Sequence, residues 1–169
     1  VCGGTFTDPA GATANYANAS NYTVTITPAV PGEVVTVTFT EFSTEFGFDA
    51  LYVFDGPSTA SPQIASTNNA GNVPGGLAGG YWGTTIPGPF ISSDPSGSLT
   101  FRFRSDNFSN RPGWVANVTC GPPPQCVRPA LPVVSSVTHN SAVIGWTENN
   151  GAASWELIAI PCGDTVPTA

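Results

Sequence analysis

The sequence predicts an all-β protein, in which one antiparallel β-sandwich is followed by a segment of a second, incomplete β-sandwich. Apolar residues alternate with polar ones, as in Val35, Val37 and Phe39, which is typical of strands with one buried face. Nineteen glycines and seventeen prolines interrupt the chain, so helix-forming runs are almost absent. Short strands between turn residues indicate a sandwich.

Five segments of the first part show this alternation. Threonine fills many of the outward positions, for example Thr36 and Thr38, because β-branched side chains suit a pleated surface. The glycine-rich stretch from about residue 57 to 89 is a long connection whose structure the sequence leaves undefined. The predicted strands lie around Tyr22–Ile26, Val35–Phe39, Leu51–Val53, Leu99–Phe103 and Val115–Val118.

A domain boundary is predicted at residues 121–125, where three prolines favour a stiff, extended spacer. It separates a domain of residues 1–120 from a segment of residues 126–169. That segment has three strand-like stretches, at Val133–Thr138, Ala142–Trp146 and Trp155–Ala159. An independent sandwich has roughly seven strands, so we expect another surface to cover this one.

The charge balance excludes one class of partner. The chain has no lysine, four arginines and eleven acids, which gives a net charge of −7. Such a surface repels phosphate backbones, so no nucleic acid partner is expected. Insertion into a membrane is not expected either, because no run approaches the ~20 apolar residues of a membrane helix.

The cysteine content predicts an exported protein, extracellular or on the cell surface. Four cysteines, no methionine and a first residue of Val1 suit a processed chain. An even number of cysteines in that setting indicates disulfides. Zinc is the alternative, but no Cys-x-x-Cys spacing occurs and His139 is far away in sequence. The disulfide candidates are Cys2, Cys120, Cys126 and Cys162.

Three acids stand at the ends of predicted strands. Glu45 and Asp49 lie in one short connection, and Asp106 follows the Leu99–Phe103 strand. Only 9% of the residues are charged, so these positions indicate a site. Calcium needs about six to eight oxygens, which loops supply well, and flexible loop oxygens favour it over magnesium. Two alternatives to this site remain. The three acids could be loop residues that face solvent, or Glu41 could be a ligand if the strand register is shifted.

With these residues in view, the first domain resembles the CUB family of extracellular β-sandwich modules over about 120 residues. The resemblance rests on the opening Cys2-Gly3-Gly4-Thr5-Phe6, Asn15-Tyr16, Phe39-x-x-Phe42-x-x-Glu45, Phe48-Asp49-x-Leu51-x-Val53-x-Asp55-Gly56, Ser105-Asp106, Gly113-Trp114-x-Ala116 and the closing Cys120. The Glu45–Asp49 connection is shorter than in animal members and lacks their cysteine pair. In this respect the domain is similar to CUB-like modules of secreted bacterial proteins.

The resemblance implies a calcium site and a disulfide. Position by position, the family's ligands correspond to Tyr16, Glu45, Asp49 and Asp106, and the shell would be completed by Asn107, the carbonyl of Phe108, or Ser109. The usual partner of Cys2 is absent, because Ser20-Asn21 stands where many members have cysteine. We expect Cys2 to pair with Cys120 instead.

Residues 126–169 resemble the first half of a fibronectin type III domain. The matching residues are Pro129-x-Leu131, Ser141-Ala142-x-Ile144-x-Trp146-Thr147 and Ser154-Trp155-Glu156-Leu157. Trp146 would be the core tryptophan.

No enzymatic activity is expected. Paired acids can hydrolyse glycosides, but neither family resemblance implies catalysis. His139 has no serine partner in a recognisable motif, and the glycines around residues 75–83 do not link a strand to a helix as a phosphate loop does.

Two further features bear on glycans. Tyr81, Trp82 and Phe90 either form a platform for sugars or pack in the core, which is the commoner fate of aromatic residues. Four Asn-x-Ser/Thr sequons mark glycosylation candidates in a eukaryotic host. The sequon asparagines are Asn18, Asn21, Asn107 and Asn117, and Asp164-Thr165-Val166 resembles a bacterial O-glycosylation signal.

Together these features predict a non-enzymatic, calcium-binding adhesion or structural module. Its partner would be another protein or a neighbouring copy, which could supply strands to residues 126–169 and build a head-to-tail filament. A fragment cut from a longer protein would show the same incomplete segment. The alternative is an accessory domain of a larger secreted enzyme or adhesin, which binds glycan or protein.

Overall fold

The computed structural model describes residues 2–124 and 130–147, which form ten strands and no helix. The all-β prediction is confirmed. The described part accordingly has no helix of the length and apolarity needed to cross a membrane. The strands are β1 (Thr5–Thr7), β2 (Asn21–Ile26), β3 (Val34–Ser43), β4 (Ala50–Asp55), β5 (Gln63–Ile64), β6 (Phe90–Ile91), β7 (Leu99–Arg104), β8 (Gly113–Gly121), β9 (Ala130–Ser135) and β10 (Val143–Thr147).

Two four-stranded antiparallel sheets form the sandwich. The first sheet has the order β1-β8-β3-β6, and the second has the order β2-β7-β4-β5. In the first sheet, β3 pairs with β8 along its whole length, with one irregularity between Phe39 and Glu41. In the second sheet, β7 pairs with β2 on one side and β4 on the other, so that Phe101 lies opposite both Val24 and Val53.

The core lies between the two sheets and is rich in aromatic residues. Phe6 of the first sheet packs on Phe101 of the second, with ring centroids 4.8 Å apart. Trp114 is fully buried and contacts Phe6 and Phe103. The buried aromatic residues therefore hold the two sheets together, and the loops lie at the ends of the strands.

The connection between β4 and β6 covers the outer face of the second sheet. Tyr52 and Phe54 point into a second buried cluster, which Val73 and Trp82 complete together with Ala50. A Cβ on Gly80 would meet the Ala50 Cβ and the Tyr52 ring at 2.8 Å, so the close approach needs glycine here. Burial on both faces explains why β4 is apolar from Ala50 to Phe54.

The chain divides into two compact units, Val1–Pro123 and Pro124–Ala169. The division falls within the proline-rich stretch. In the second unit β9 and β10 pair antiparallel, with Ile144 opposite Val134. The third expected strand, Trp155–Ala159, lies outside the described residues.

Candidate metal centre

Three carboxylates meet at one end of the sandwich. Glu45 and Asp49 stand in the loop between β3 and β4, and Asp106 follows β7. One carboxylate oxygen from each lies within 4.8 Å of the others. Since calcium–oxygen distances are about 2.3–2.6 Å, oxygens that share one ion lie within about 5 Å of each other. The spacing of the three acids therefore fits a single cation of this size.

The loop between β3 and β4 is closed by its own hydrogen bonds. The backbone N–H of Asp49 donates to the Glu45 carbonyl at 3.1 Å, and the Thr44 hydroxyl donates to the Asp49 carbonyl at 3.1 Å. Gly47 adopts a φ of 78°, which a side chain would disfavour. This tight turn brings the two acids together although four positions separate them.

Asp49 is the buried member of the group, at 0% exposure. Its Oδ1 accepts the Asp106 N–H at 2.8 Å, and its Oδ2 accepts the Tyr16 hydroxyl at 2.5 Å. Burial raises the pKa of Asp49, and the charges of Asp106 and Glu45 add to the rise, whereas the two hydrogen bonds oppose it. A bound cation would stabilise the charged form.

Tyr16 joins two of the acids from within the core. Besides donating to Asp49, its hydroxyl accepts the Glu45 N–H at 3.1 Å. Burial and the bond to Asp49 raise the pKa of Tyr16 above its ordinary value, so the phenol keeps its proton. Its ring packs edge-on against Phe103. Tyr16 therefore holds the carboxylate of Asp49 and the backbone of Glu45 in place, and it would offer an ion only a neutral oxygen.

The loop after Asp106 carries the other residues expected in the shell. Asn107, Phe108 and Ser109 are exposed. The Phe108 N–H donates to Asp106 Oδ1 at 2.8 Å, whereas the carbonyl of Phe108 was the expected ligand group. The Asn107 carbonyl accepts the Asn18 amide at 2.8 Å. This loop is thus tied to Asp106 and to the segment before β2.

Glu41 lies outside this group. It is an exposed residue of β3 opposite Val115, next to the irregularity in that strand. The structure thus brings together Glu45, Asp49 and Asp106, and leaves Glu41 apart.

A disulfide joins Cys2 to Cys120, whose Cα atoms are 5.4 Å apart. It ties the start of the first unit to the end of β8. Cys126, Cys162 and Thr165 lie outside the described residues. The four sequon asparagines are all exposed, at Asn18, Asn21, Asn107 and Asn117.

Tyr81, Trp82 and Phe90 follow the commoner of the two expectations, because they pack in the buried clusters and do not form an exposed platform. Phe90 is buried in the main core, Tyr81 is half-buried, and Trp82 belongs to the second cluster. The exposed ring beside Trp82 is instead that of Phe46, which was not among the predicted site residues. The sequence feature that marks Phe46 is an aromatic residue in a short loop, where it is not part of the alternating pattern of a strand. No protein-family model matches the chain.

Proposed function

We propose that this protein is a non-enzymatic extracellular module, CUB-like in its first unit, that binds calcium and serves in adhesion or structure. The observation that supports the proposal most directly is the meeting of Glu45, Asp49 and Asp106 within 4.8 Å. Its donors are all oxygens, which suit a hard cation better than zinc. A calcium ion held there would link two loops and rigidify that end of the sandwich.

Two other features support the extracellular and adhesive parts of the proposal. The Cys2–Cys120 disulfide suits an oxidising environment. Glu45 and Asp106 are only partly buried, so an ion on them has a side that faces solvent. A basic or hydroxyl-rich group of a partner could be held at that side.

Calcium titration by calorimetry tests the metal site, with Asp106→Asn as the variant and Glu41→Gln as the control. Both changes remove one negative charge, but only Asp106 belongs to the three-carboxylate group. We expect Asp106→Asn to raise the Kd for calcium at least about tenfold, because ligand charge sets affinity. Glu41→Gln should leave it unchanged.

A second readout is stability. A ligand at a hundred times its Kd stabilises the folded state by about 2.7 kcal/mol, so calcium should raise the Tm of the wild-type chain. Absence of binding heat and of a Tm shift in millimolar calcium would contradict the site. If Glu41→Gln raised the Kd for calcium as much as Asp106→Asn does, the binding would be general attraction between calcium and a negatively charged protein.

Self-assembly is a second candidate, favoured by the apolar surface of the second unit. Val133, Val134 and Val143 are exposed, at 57–58% each, on a sheet that has two strands within the described residues. An isolated pair of strands is marginal in water, and a strand from a neighbouring copy would extend it. A head-to-tail contact of this kind builds a filament when its rotation does not close into a ring.

Light scattering separates the filament from the accessory-domain alternative. A filament predicts a mass far above 17.3 kDa, and dissociation on chelation would place the metal near the contact. A monomer with and without calcium excludes self-assembly, and favours an accessory domain that binds glycan or protein. A hydrolytic activity lost in a folded Glu45→Gln variant would overturn the non-enzymatic assignment.

A further inference from the structure

Three adjoining clefts open around Phe46 and Trp82 on the first unit. Their volumes are about 390, 430 and 470 Å³, and both rings line each of them. The clefts of 390 and 430 Å³ share Thr67, and the clefts of 390 and 470 Å³ share Thr85. Pockets for small ligands measure about 300–1,000 Å³. Together the clefts form one groove, the Phe46 groove, with room for a short chain of sugar residues.

Phe46 projects from the middle of this groove, at 76% exposure. Its ring meets Trp82 edge to face, with centroids 6.1 Å apart. An exposed phenylalanine costs hydrophobic free energy in water, which a ligand that covers the ring would recover. Trp82 supports it from below and is itself nearly buried.

The backbone under Phe46 is held in place on both sides. The Thr44 N–H donates to the Gly83 carbonyl at 2.9 Å, and the Asn72 N–H donates to the Gly47 carbonyl at 2.7 Å. These bonds tie the loop of Phe46 to the connection that carries Trp82. Little ordering is then needed on binding, which favours affinity.

The rim of the groove is polar and almost uncharged. Thr67, Asn72, Thr84 and Thr85 are exposed, and their side chains make no hydrogen bond within the part of the chain that the structure describes. Hydroxyl and amide groups both donate and accept. Among the described residues that line the groove, Arg111 alone is charged.

We propose that the Phe46 groove binds carbohydrate, in particular oligosaccharides of neutral sugars. One face of a pyranose ring carries C–H bonds and packs on an aromatic ring, while its hydroxyls need donors and acceptors around it. The exposed ring of Phe46 supplies the first requirement, and the threonines and Asn72 supply the second. A phosphate-bearing ligand is disfavoured, because the groove offers it one positive charge, that of Arg111, and the protein as a whole has a net charge of −7.

This inference rests on the proposed adhesive function for its biological role, and it names a partner class for it. It does not rest on the metal. Glu45, Asp49 and Asp106 line none of the three clefts. Sugar binding and calcium binding are therefore separable by mutation.

The test is a calorimetric titration of the purified chain with cellohexaose, laminarihexaose, mannohexaose, xylohexaose and chitohexaose, in calcium and after chelation. We expect at least one to bind with a Kd in the millimolar range or below. Phe46→Ala should raise that Kd at least about tenfold, because truncation of an aromatic anchor removes the central contact. Phe46→Trp, which retains an aromatic face, should bind.

Val30→Ala is the matched control. Val30 is also an exposed apolar residue but lines none of the three clefts, so its loss should leave the Kd unchanged. The Kd of Phe46→Ala for calcium should equal that of the wild type, which separates this proposal from the metal site. The proposal is overturned if none of the five hexasaccharides binds, or if Phe46→Ala binds as the wild type does.

Discussion

The phenol oxygen of Tyr16 lies 2.5 Å from Oδ2 of Asp49, and both residues are fully buried. The same phenol accepts the backbone N–H of Glu45. One core side chain thus sets the positions of two acids in the candidate metal centre. The site is therefore coupled to the packing of the sandwich through Tyr16, whose ring lies against Phe103.

Tyr16→Phe should weaken calcium binding and lower stability together. The variant keeps the ring but leaves Asp49 Oδ2 and the Glu45 N–H without this partner. Loss of such supporting bonds typically lowers metal affinity by about 10–100-fold, and a buried group left unsatisfied costs about 1–3 kcal/mol. Calorimetry and urea denaturation measure the two effects.

Tyr81→Phe is the control for that experiment. Its hydroxyl donates to the Ile64 carbonyl at 3.2 Å, away from the three carboxylates. Stability should fall, but the Kd for calcium should stay unchanged. Equal calcium affinity in both variants would show that Tyr16 does not orient the acids.

Removal of the Cys2–Cys120 disulfide should lower the free energy of unfolding by about 2–5 kcal/mol. The bond spans 118 residues, so it restricts a large loop of the unfolded chain. The double variant Cys2→Ser/Cys120→Ser should unfold at lower urea than the wild type, and a reductant should bring the wild type down to it. A wild type that is equally stable oxidised and reduced would contradict this prediction.

Gly80→Ala should destabilise the first unit by about 1–3 kcal/mol, as overpacking does. The new methyl group would meet Ala50 and the Tyr52 ring at 2.8 Å, inside the second cluster. Gly121→Ala is the control, because a Cβ there meets nothing within 4 Å. Urea denaturation of both variants is the measurement. Equal stabilities would mean that the connection between β4 and β6 shifts to accommodate the methyl group at little cost.

Asp8 should make stability depend on pH. It is buried, its Oδ1 accepts the Ala10 N–H, and its Oδ2 has no hydrogen-bond partner among the described residues. Burial raises the pKa of Asp8, although backbone N–H groups oppose the rise. The folded state therefore holds the proton more tightly than the unfolded state does.

The sign of the effect follows from linkage. The contribution of Asp8 to stability is most favourable below its unfolded pKa of about 3.9, and is lost as pH rises through the higher folded pKa. Asp8→Asn cannot ionise, so its stability relative to the wild type should increase between pH 4 and neutrality. Urea denaturation across that range measures the difference, and parallel curves would contradict the prediction.

The strand pattern was accessible to sequence reasoning because it is local. Alternate residues of β7, such as Phe101 and Phe103, face the core, and the run predicted for them matches the strand. The same reasoning missed β1, β5 and β6, which have only two or three residues each. These short strands depend on pairing with distant partners, such as Phe90 with Val37, and carry too few residues to show a period.

The sequence by itself determined the fold class, the boundary near the prolines and the choice of Glu45, Asp49 and Asp106 as a group. Composition, periodicity and family-like motifs can be identified within short stretches of a single sequence. Only the tertiary structure decided that Asp49 is buried against Tyr16 and that Phe46 stands exposed over Trp82. Those relationships join loops that are far apart in sequence, so they exist only once long-range packing has brought the two sheets and the connection together.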